Sequence, residues 1–208
     1  MAIVTFSRLY GSGGSEVAAK VAHELGWSLL DNAVVDQVAA RLGITRAEVA
    51  AREERVPSLV ERITDALTLG SQEWITPMTA ARRPPTDEQL IEMTRHVVDE
   101  AVASGPLVIV GRGAQAMLAA RSDALHIFCH APRATLISRV MERDRLGHDE
   151  AAKLVDETNA HREMWVRRHW DRAWKNPENY HLSVNTGWLG IEGASEVIVF
   201  AARARFRL

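Results

Sequence analysis

The sequence predicts an α/β fold in which helices cover a parallel β-sheet. Short apolar runs with the character of buried strands alternate with longer segments whose apolar residues recur at helical spacing. A glycine-rich loop directly follows the first apolar run, and a glycine-arginine-glycine triplet directly follows the third. At 208 residues the chain is long enough for one sizeable core but short for two full domains. We therefore expect a single domain over residues 1–208.

The first strand and the first helix flank the glycine-rich loop. Residues 2–7 form an apolar strand, and residues 15–26 have helical spacing that ends on a glycine, the expected stop. A short second strand at 27–30 ends before Asp31, and helical spacing resumes over 32–43. This order of strand, loop, helix and strand is typical of the start of a parallel sheet.

The middle of the chain, from about 44 to 104, is mostly helical by pattern and rich in charge. Two arginines and two prolines at 82–85 interrupt it, and a long helix is predicted over 87–103. An insertion between the second and third strands is where a lid over a substrate would lie. An ordinary helical hairpin packed on the sheet explains the same pattern equally well.

The remaining elements continue the alternation of strands and helices. The third strand, 106–110, is apolar throughout, as expected of a strand buried on both faces. The other predicted elements are strands at 124–130 and 180–184 and helices at 132–146, 149–174 and 191–203.

Composition and charge exclude several classes of function. The formal net charge is −2 and the isoelectric point is near 6.5, which argues against a general electrostatic grip on nucleic acid. The one cysteine, Cys129, lies in an apolar run, so we expect a buried hydrophobe and no internal disulfide. No apolar stretch is long enough to span a membrane, and the N-terminus enters a strand directly. These features predict a soluble, cytoplasmic protein.

The glycine-rich loop, residues 8–15, has the composition of a phosphate-binding loop. Its glycines allow successive N–H groups to face an anion, and the following helix adds the positive end of its dipole. When the segment is aligned with the pattern G-x-x-x-x-G-K-[ST], Gly13 matches the second glycine and Ser15 matches the residue whose hydroxyl binds Mg²⁺. Arg8 stands in place of the first glycine and Gly14 in place of the lysine. A flexible turn that merely joins a strand to a helix is the alternative.

Two further charged residues follow predicted strands at the same edge of the sheet. Asp31 follows the second strand and Arg112 the third. Ligands of open α/β sheets bind at the carboxyl ends of the strands. A guanidinium meets a phosphate through two parallel hydrogen bonds, so Arg112 is our candidate anchor for a phosphate-bearing substrate.

The segment 139–172 is rich in arginine with interspersed carboxylates, and most of it is expected to be a solvated helical face. A site that transfers a phosphoryl group needs arginines that reach over it, and we choose Arg139, Arg143 and Arg162. Three tryptophans lie among and just after the arginines of this segment: Trp165, Trp170 and Trp174. We expect them either to stack on a base or to form a small core of this segment.

Five segments of the chain resemble, in order, the cytidylate kinases, and more closely the cytidylate kinase-like proteins among the P-loop nucleoside monophosphate kinases. They are 7–15, 108–114, 126–132, 139–143 and 174–186. The resemblance is weakest between about 46 and 100. It implies a three-layer P-loop kinase fold with a five-stranded parallel sheet, a helical nucleoside-monophosphate lobe at about 32–104 and an arginine-rich lid at about 144–176.

The resemblance also implies ATP as donor, Mg²⁺ as cofactor and a pyrimidine monophosphate, CMP or dCMP, as acceptor. Arg112 matches the arginine of a Gly-Arg-Asp motif that contacts the acceptor, but Gly113 replaces its aspartate. Asn159 likewise replaces a common aspartate ahead of Arg162. Asp31 is placed with Arg112 on the substrate side. The donor phosphates would contact the loop residues Gly11, Ser12, Gly13, Gly14 and Ser15, the last also touching Mg²⁺.

The missing loop lysine leaves the activity open. Arg8 is the nearest candidate for a substitute cation, whereas Lys20 lies about a helical turn beyond the loop. Losing one positioned charge typically costs ~10²–10³ in rate. The alternatives to a nucleoside monophosphate kinase are therefore a catalytically weak or inactive nucleotide sensor, or a kinase for another small phosphate acceptor. The sequence leaves the oligomeric state open.

Overall fold

A computed structural model describes residues 2–31, 38–43, 45 and 86–208 of the chain. Its centre is a five-stranded sheet in the order β2-β3-β1-β4-β5, with every neighbouring pair parallel. The expected parallel α/β sheet is thus confirmed. The strands are β1 (Ile3–Arg8), β2 (Ser28–Leu30), β3 (Leu107–Val110), β4 (Ala124–His130) and β5 (Leu182–Asn185).

Helices cover both faces of the sheet, because alternate strand residues point to opposite sides. Ile3 of β1 points to one face and Val4 to the other, and both are fully buried. The described helices are α1 (Gly14–Leu25), α2 (Asp87–Ser104), α3 (Ala114–Met117), α4 (Arg133–Asp144), α5 (His148–Trp170) and α6 (Thr186–Phe206), and residues 38–42 are also helical.

Each face has its own core. On the Ile3 side, Leu90 and Val97 of α2 pack on the sheet. On the Val4 side, Val17 of α1 and Ile198 of α6 do so. A third cluster joins α4 to α5 beyond the end of the sheet.

Several element boundaries differ from those predicted, three of them by more than a residue or two. Helix α5 ends at Trp170 because Asp171 adopts a left-handed conformation, so Trp174 leaves the helix and packs against Phe128 of β4. Helix α6 begins at Thr186, where the Asn185 side chain caps it, and is interrupted at Gly190. The fifth strand is shifted toward the C-terminus, and the short α3 was not predicted. Boundaries such as these depend on single φ angles that hydrophobic periodicity does not report.

The helical predictions over 32–37 and 46–85 lie outside the described residues, as does most of the lobe expected at about 32–104. The long helix predicted at 87–103 is present as α2, and its start is fixed by a capping box between Thr86 and Gln89.

Two smaller expectations are met. Cys129 is fully buried, and burial raises the pKa of its thiol to about 12, which keeps it protonated and unreactive. In the described ranges, no helix is both long enough and apolar enough to cross a membrane.

A buried histidine, His126, links the central strands and stacks on an exposed one, His181. The hydroxyl of Thr5 on β1 lies 2.7 Å from Nδ1 of His126 on β4, and the backbone N–H of His126 donates to Nδ1 of His181. The two imidazole rings stack with centroids 5.0 Å apart. His126 is 3% exposed, and burial, followed by the charges of His181 and Arg172, lowers its pKa to about 4.

We predict that this histidine makes the fold acid-sensitive. Between pH 6.5 and 4 the unfolded chain takes up a proton at His126 that the folded chain does not, so stability is complete above pH 6.5 and falls toward pH 4. The loss by pH 4.5 is about 2–3 kcal/mol. Urea unfolding at pH 7 and pH 4.5 measures it. His126→Gln should show a smaller loss of stability over this range, and equal losses would contradict the assignment.

Candidate functional site

The glycine-rich loop joins the carboxyl end of β1 to the start of α1. Gly13 caps the helix in a left-handed conformation with φ 72°, which a residue without Cβ adopts at little cost. The first bond into the helix runs from the Val17 N–H to the Gly13 carbonyl, so the earlier N–H groups lack an intrahelical acceptor. Within the described chain, no side chain caps this helix start. The geometry therefore suits an anion at the N-terminus of α1.

A half-buried arginine and a buried threonine hold the back of the loop. Nη1 of Arg139 on α4 donates to the Ser12 carbonyl at 3.0 Å, and Nη2 donates to the Thr186 carbonyl at 2.9 Å. The Thr186 hydroxyl donates to the same Ser12 carbonyl at 2.6 Å. The Ser12 side chain is itself fully buried behind the loop. Arg139 thus fixes the loop backbone while its side chain lines the loop's open face.

Helix α5 holds the front of the loop. The amide oxygen of Asn159 accepts a hydrogen bond from the Tyr10 backbone N–H at 2.8 Å. One turn further along α5, Nη1 of Arg162 donates to the Arg8 carbonyl at 3.0 Å. Asn159 is 8% exposed, so an aspartate here would bury a charge against a single amide. The neutral asparagine therefore holds the loop backbone at Tyr10 without burying a charge.

Two of the predicted arginines lie on the ring of Tyr10. The guanidinium carbons of Arg143 and Arg162 are 4.8 and 5.6 Å from the ring centroid. Arg143 also donates to the Asp144 carboxylate at 2.7 Å, and this bond is the main cause that raises the Arg143 pKa and lowers that of Asp144. Arg143 is therefore partly neutralised by its neighbour in sequence.

Two pockets meet at the carboxyl edge of the sheet. The loop pocket is a cavity of about 470 Å³ over the glycine-rich loop and the arginines of α4, within the range of ligand sites. The strand-end pocket lies beside the segment after β3 and is walled by Trp165 and Trp174. Arg8 and Arg162 line both pockets. Any group that passes from one pocket to the other would pass these two residues.

Arg112 lies in the strand-end pocket on an unusual backbone. Its φ of 59° is left-handed, and so are those of Gly111 and Gly113 on either side. Arginine adopts this conformation at a cost, which is typical of functional sites. A Cβ at Gly113 would lie 2.3 Å from the Trp170 ring, so the aspartate of the related motif does not fit here. Trp170 has taken its space.

Asp31 lies after β2, and its carboxylate is 3.9 Å from Nη2 of Arg8. Lys20 lies outside the site, where it pairs with Glu192 of α6 at 2.7 Å. Four of the five loop residues predicted to contact the donor phosphates, all except Ser12, line the loop pocket. The four arginines chosen from the sequence line it too: Arg8, Arg139, Arg143 and Arg162. Ser12 contributes through its carbonyl, Arg112 lies in the adjacent pocket, and Asp31 touches the site through Arg8.

Sequence reasoning missed the partners that hold these residues. Tyr10 lies inside the loop itself, and an aromatic ring directly before the glycines was the available signal. Thr186 follows a strand at the same sheet edge as Asp31 and Arg112, and the same argument would have selected it. Nothing in the sequence pairs Trp170 with Gly113.

Solved structures with the same fold cover nearly the whole chain. An uncharacterized protein from Eubacterium ventriosum aligns with a TM-score of 0.71 and 17% identity over 98% of this chain and 99% of that one. A shikimate kinase from Bacteroides thetaiotaomicron aligns at 0.52 and 13% over 100% and 99%, and a gluconokinase from Sinorhizobium meliloti at 0.53 and 12% over 99% and 95%. At these identities the likeness shows the P-loop kinase fold.

Sequence comparison gives the family. No curated protein matches the chain significantly. The family model described as "Cytidylate kinase-like family" matches residues 3–187, which include the glycine-rich loop, Arg112 and the arginines of α4 and α5. The chain belongs to the cytidylate kinase-like family.

Proposed function

We propose that this protein is an ATP-dependent kinase that transfers a phosphoryl group to a nucleoside monophosphate, with CMP and dCMP as the first candidates. The loop pocket would take the donor triphosphate. The strand-end pocket, at about 50 Å³, has room for a phosphate group but not for a whole nucleotide, so it would take the phosphate of the acceptor. A cytoplasmic location and small nucleotides as the only ligands belong to the same proposal.

One observation carries the proposal: Arg8 and Arg162 line both pockets at their junction. A phosphoryl group in transfer spreads negative charge over its outer oxygens, and catalysis rests on positioning and cations. Helix N–H groups on one side and Arg112 on the other would hold donor and acceptor, while the two shared guanidiniums face the transferring group. No covalent intermediate is required.

The residues present fit a Mg²⁺-bound triphosphate. The loop pocket is lined by the start of α1, by four arginines and by Ser15 at the second helical position. Glu16 and Glu142 line it as well, so the arginines outnumber the carboxylates there. The Ser15 hydroxyl would hold the Mg²⁺, which neutralises phosphate charge when bound. Arg139 would keep the loop curled, because it is bonded to the loop carbonyl.

A second candidate function is supported by Gly14. Without a lysine at this position, the loop could bind a nucleotide but turn it over slowly, as a sensor would. A kinase for another small phosphate acceptor is the third, because the segment from about 46 to 100 that would select the acceptor resembles the family least.

The experiment that separates these functions measures ADP release with ATP, Mg²⁺ and a panel of CMP, dCMP, UMP and AMP. Fastest turnover on CMP or dCMP supports the proposal. Thermal stabilisation by Mg·ATP without ADP formation supports the sensor. Stabilisation by ATP with turnover only on an acceptor outside the panel supports the third function.

We predict that Arg8 supplies the cation that the loop lysine usually provides. Arg8→Ala should raise the dissociation constant of Mg·ATP about tenfold or more, because it removes a charge at the pocket junction. Lys20→Ala, the matched control, should leave it within about twofold, since the Lys20 charge is engaged by Glu192. Isothermal titration calorimetry measures both. The reverse order would rule out the substitute cation.

A further inference from the structure

Gly14 takes the place of the usual lysine, and the structure gives a steric reason for its being glycine. A Cβ built on Gly14 would lie 2.6 Å from Cβ of Arg8, 3.2 Å from its Cγ and 3.1 Å from Cβ of Cys129. Cβ atoms are fixed by the backbone, so rotation of a side chain does not relieve this clash. A lysine at position 14 and an arginine at position 8 therefore compete for the same space.

Gly111 continues the channel that Arg8 occupies. A Cβ on Gly111 would meet Nη1 and Cζ of Arg8 at 2.1 and 3.2 Å. The arginine side chain thus starts against the first residue of α1, crosses the sheet edge and ends over the segment that follows β3. Gly14 meets the start of the Arg8 side chain, which the backbone fixes, whereas Gly111 meets only its flexible end. Asp31, which follows β2, faces the far end of the guanidinium at 3.9 Å.

We infer a coupled exchange at positions 8 and 14: the cation of the phosphate loop is Arg8 at the end of β1 and not a lysine at the start of α1. Gly111 and Asp31 belong to the same arrangement. This inference rests on the proposed phosphoryl transfer. Gly14 makes room for the start of the Arg8 side chain, and the guanidinium lies over Gly111. Asp31 is a positioning residue that draws this guanidinium toward the strand-end pocket. Arg8 then faces the transferring group from between donor and acceptor.

The consequence is chemical as well as steric. A lysine on α1 would be a point charge beside the donor phosphates alone. Arg8 presents a planar fork at the junction of the two pockets, so it can bond one oxygen of the donor and one of the acceptor. Replacing Arg8 should therefore lower kcat and not only raise KM for ATP.

The steric half is tested without activity, by thermal unfolding of Gly14→Ala in two backgrounds. Gly14→Ala should lower the melting temperature by several degrees in the parent protein. The loss should be smaller in the Arg8→Gly background, because the two contacts with Arg8 are then removed and only the 3.1 Å approach to Cys129 Cβ remains. Gly193→Ala is the matched control, since its Cβ would meet only ordinary contacts at 3.7 Å or more. Its effect should be the same in both backgrounds. Equal effects of Gly14→Ala in both would overturn the coupling.

The chemical half is tested by moving the cation back to α1. Arg8→Gly should lower kcat by ~10²–10³. The double variant Arg8→Gly/Gly14→Lys should have a kcat at least tenfold higher than that of Arg8→Gly. Gly14→Lys alone should be destabilised and no faster than the parent protein. Asp31→Asn should lower kcat several-fold in the parent and have no effect in the Arg8→Gly background, whereas a merely structural Asp31 would act in both.

Different results would contradict the kinase proposal and the coupled exchange. If the parent protein forms no ADP with any acceptor, the kinase proposal fails. The coupled exchange is then tested by the affinity of the variants for Mg·ATP. Arg8→Gly should then weaken Mg·ATP binding and the double variant should restore it. If the double variant is no better than Arg8→Gly in turnover or in affinity, the coupled exchange is wrong even where the kinase is real.

Discussion

Replacing Arg112 by alanine is expected to lower kcat/KM for the phosphate acceptor by about 10²–10³, the largest single loss that we predict on the acceptor side. Arg112 lines the strand-end pocket, and its guanidinium is the group there that can take a phosphate through two hydrogen bonds without belonging to the loop pocket. ADP release as a function of CMP concentration measures the loss.

The backbone at Arg112 sharpens this prediction. Arginine adopts the left-handed conformation at a cost that a purely structural position would avoid with glycine, as Gly111 and Gly113 do on either side. Arg112→Gly should therefore be at least as stable as the parent protein while it loses the same activity. That combination distinguishes a binding residue from one that supports the fold.

The matched control is Arg207→Ala. Arg207 is an exposed arginine with φ 57° at the end of α6, so it repeats the backbone conformation far from the pockets. Its replacement should leave kcat/KM unchanged. A similar loss in Arg112→Ala and Arg207→Ala, or acceptor saturation that is unchanged in Arg112→Ala, would remove Arg112 from the site.

The sequence predicted the sheet and the residues at its carboxyl edge, because both depend on local patterns. Buried strands are recognisable as apolar runs, and the residue after each run must lie at the sheet edge. Asp31 and Arg112 were found in this way. The order of the strands was not predicted, since hydrophobic patterns carry no record of which strands are neighbours.

What the sequence could not predict are contacts between residues distant along the chain. Asn159 bonds the backbone of Tyr10, and Trp170 fills the space over Gly113. Each departure from the related motifs looked like a lost function when considered alone. In the structure, each has a partner that explains it: Gly113 has Trp170, and Gly14 has Arg8.

Replacing Arg162 by alanine is expected to lower kcat by about 10²–10³ with a smaller change in KM for either nucleotide. Arg162 lines both pockets, and its donation to the Arg8 carbonyl fixes it beside the junction. Arg143 lines only the loop pocket, is exposed and is paired with Asp144, so Arg143→Ala should cost far less.

Arg167→Ala is the matched control for Arg162, because Arg167 lies on the same helix with its side chain in solvent. It should change neither kcat nor the melting temperature appreciably. Arg162→Lys should recover part of the rate, since it keeps the charge but loses the planar fork. A larger loss for Arg143→Ala than for Arg162→Ala would place the transferring group over the loop pocket rather than at the junction. The two shared guanidiniums would then be structural, and the mechanism proposed for this site would be wrong.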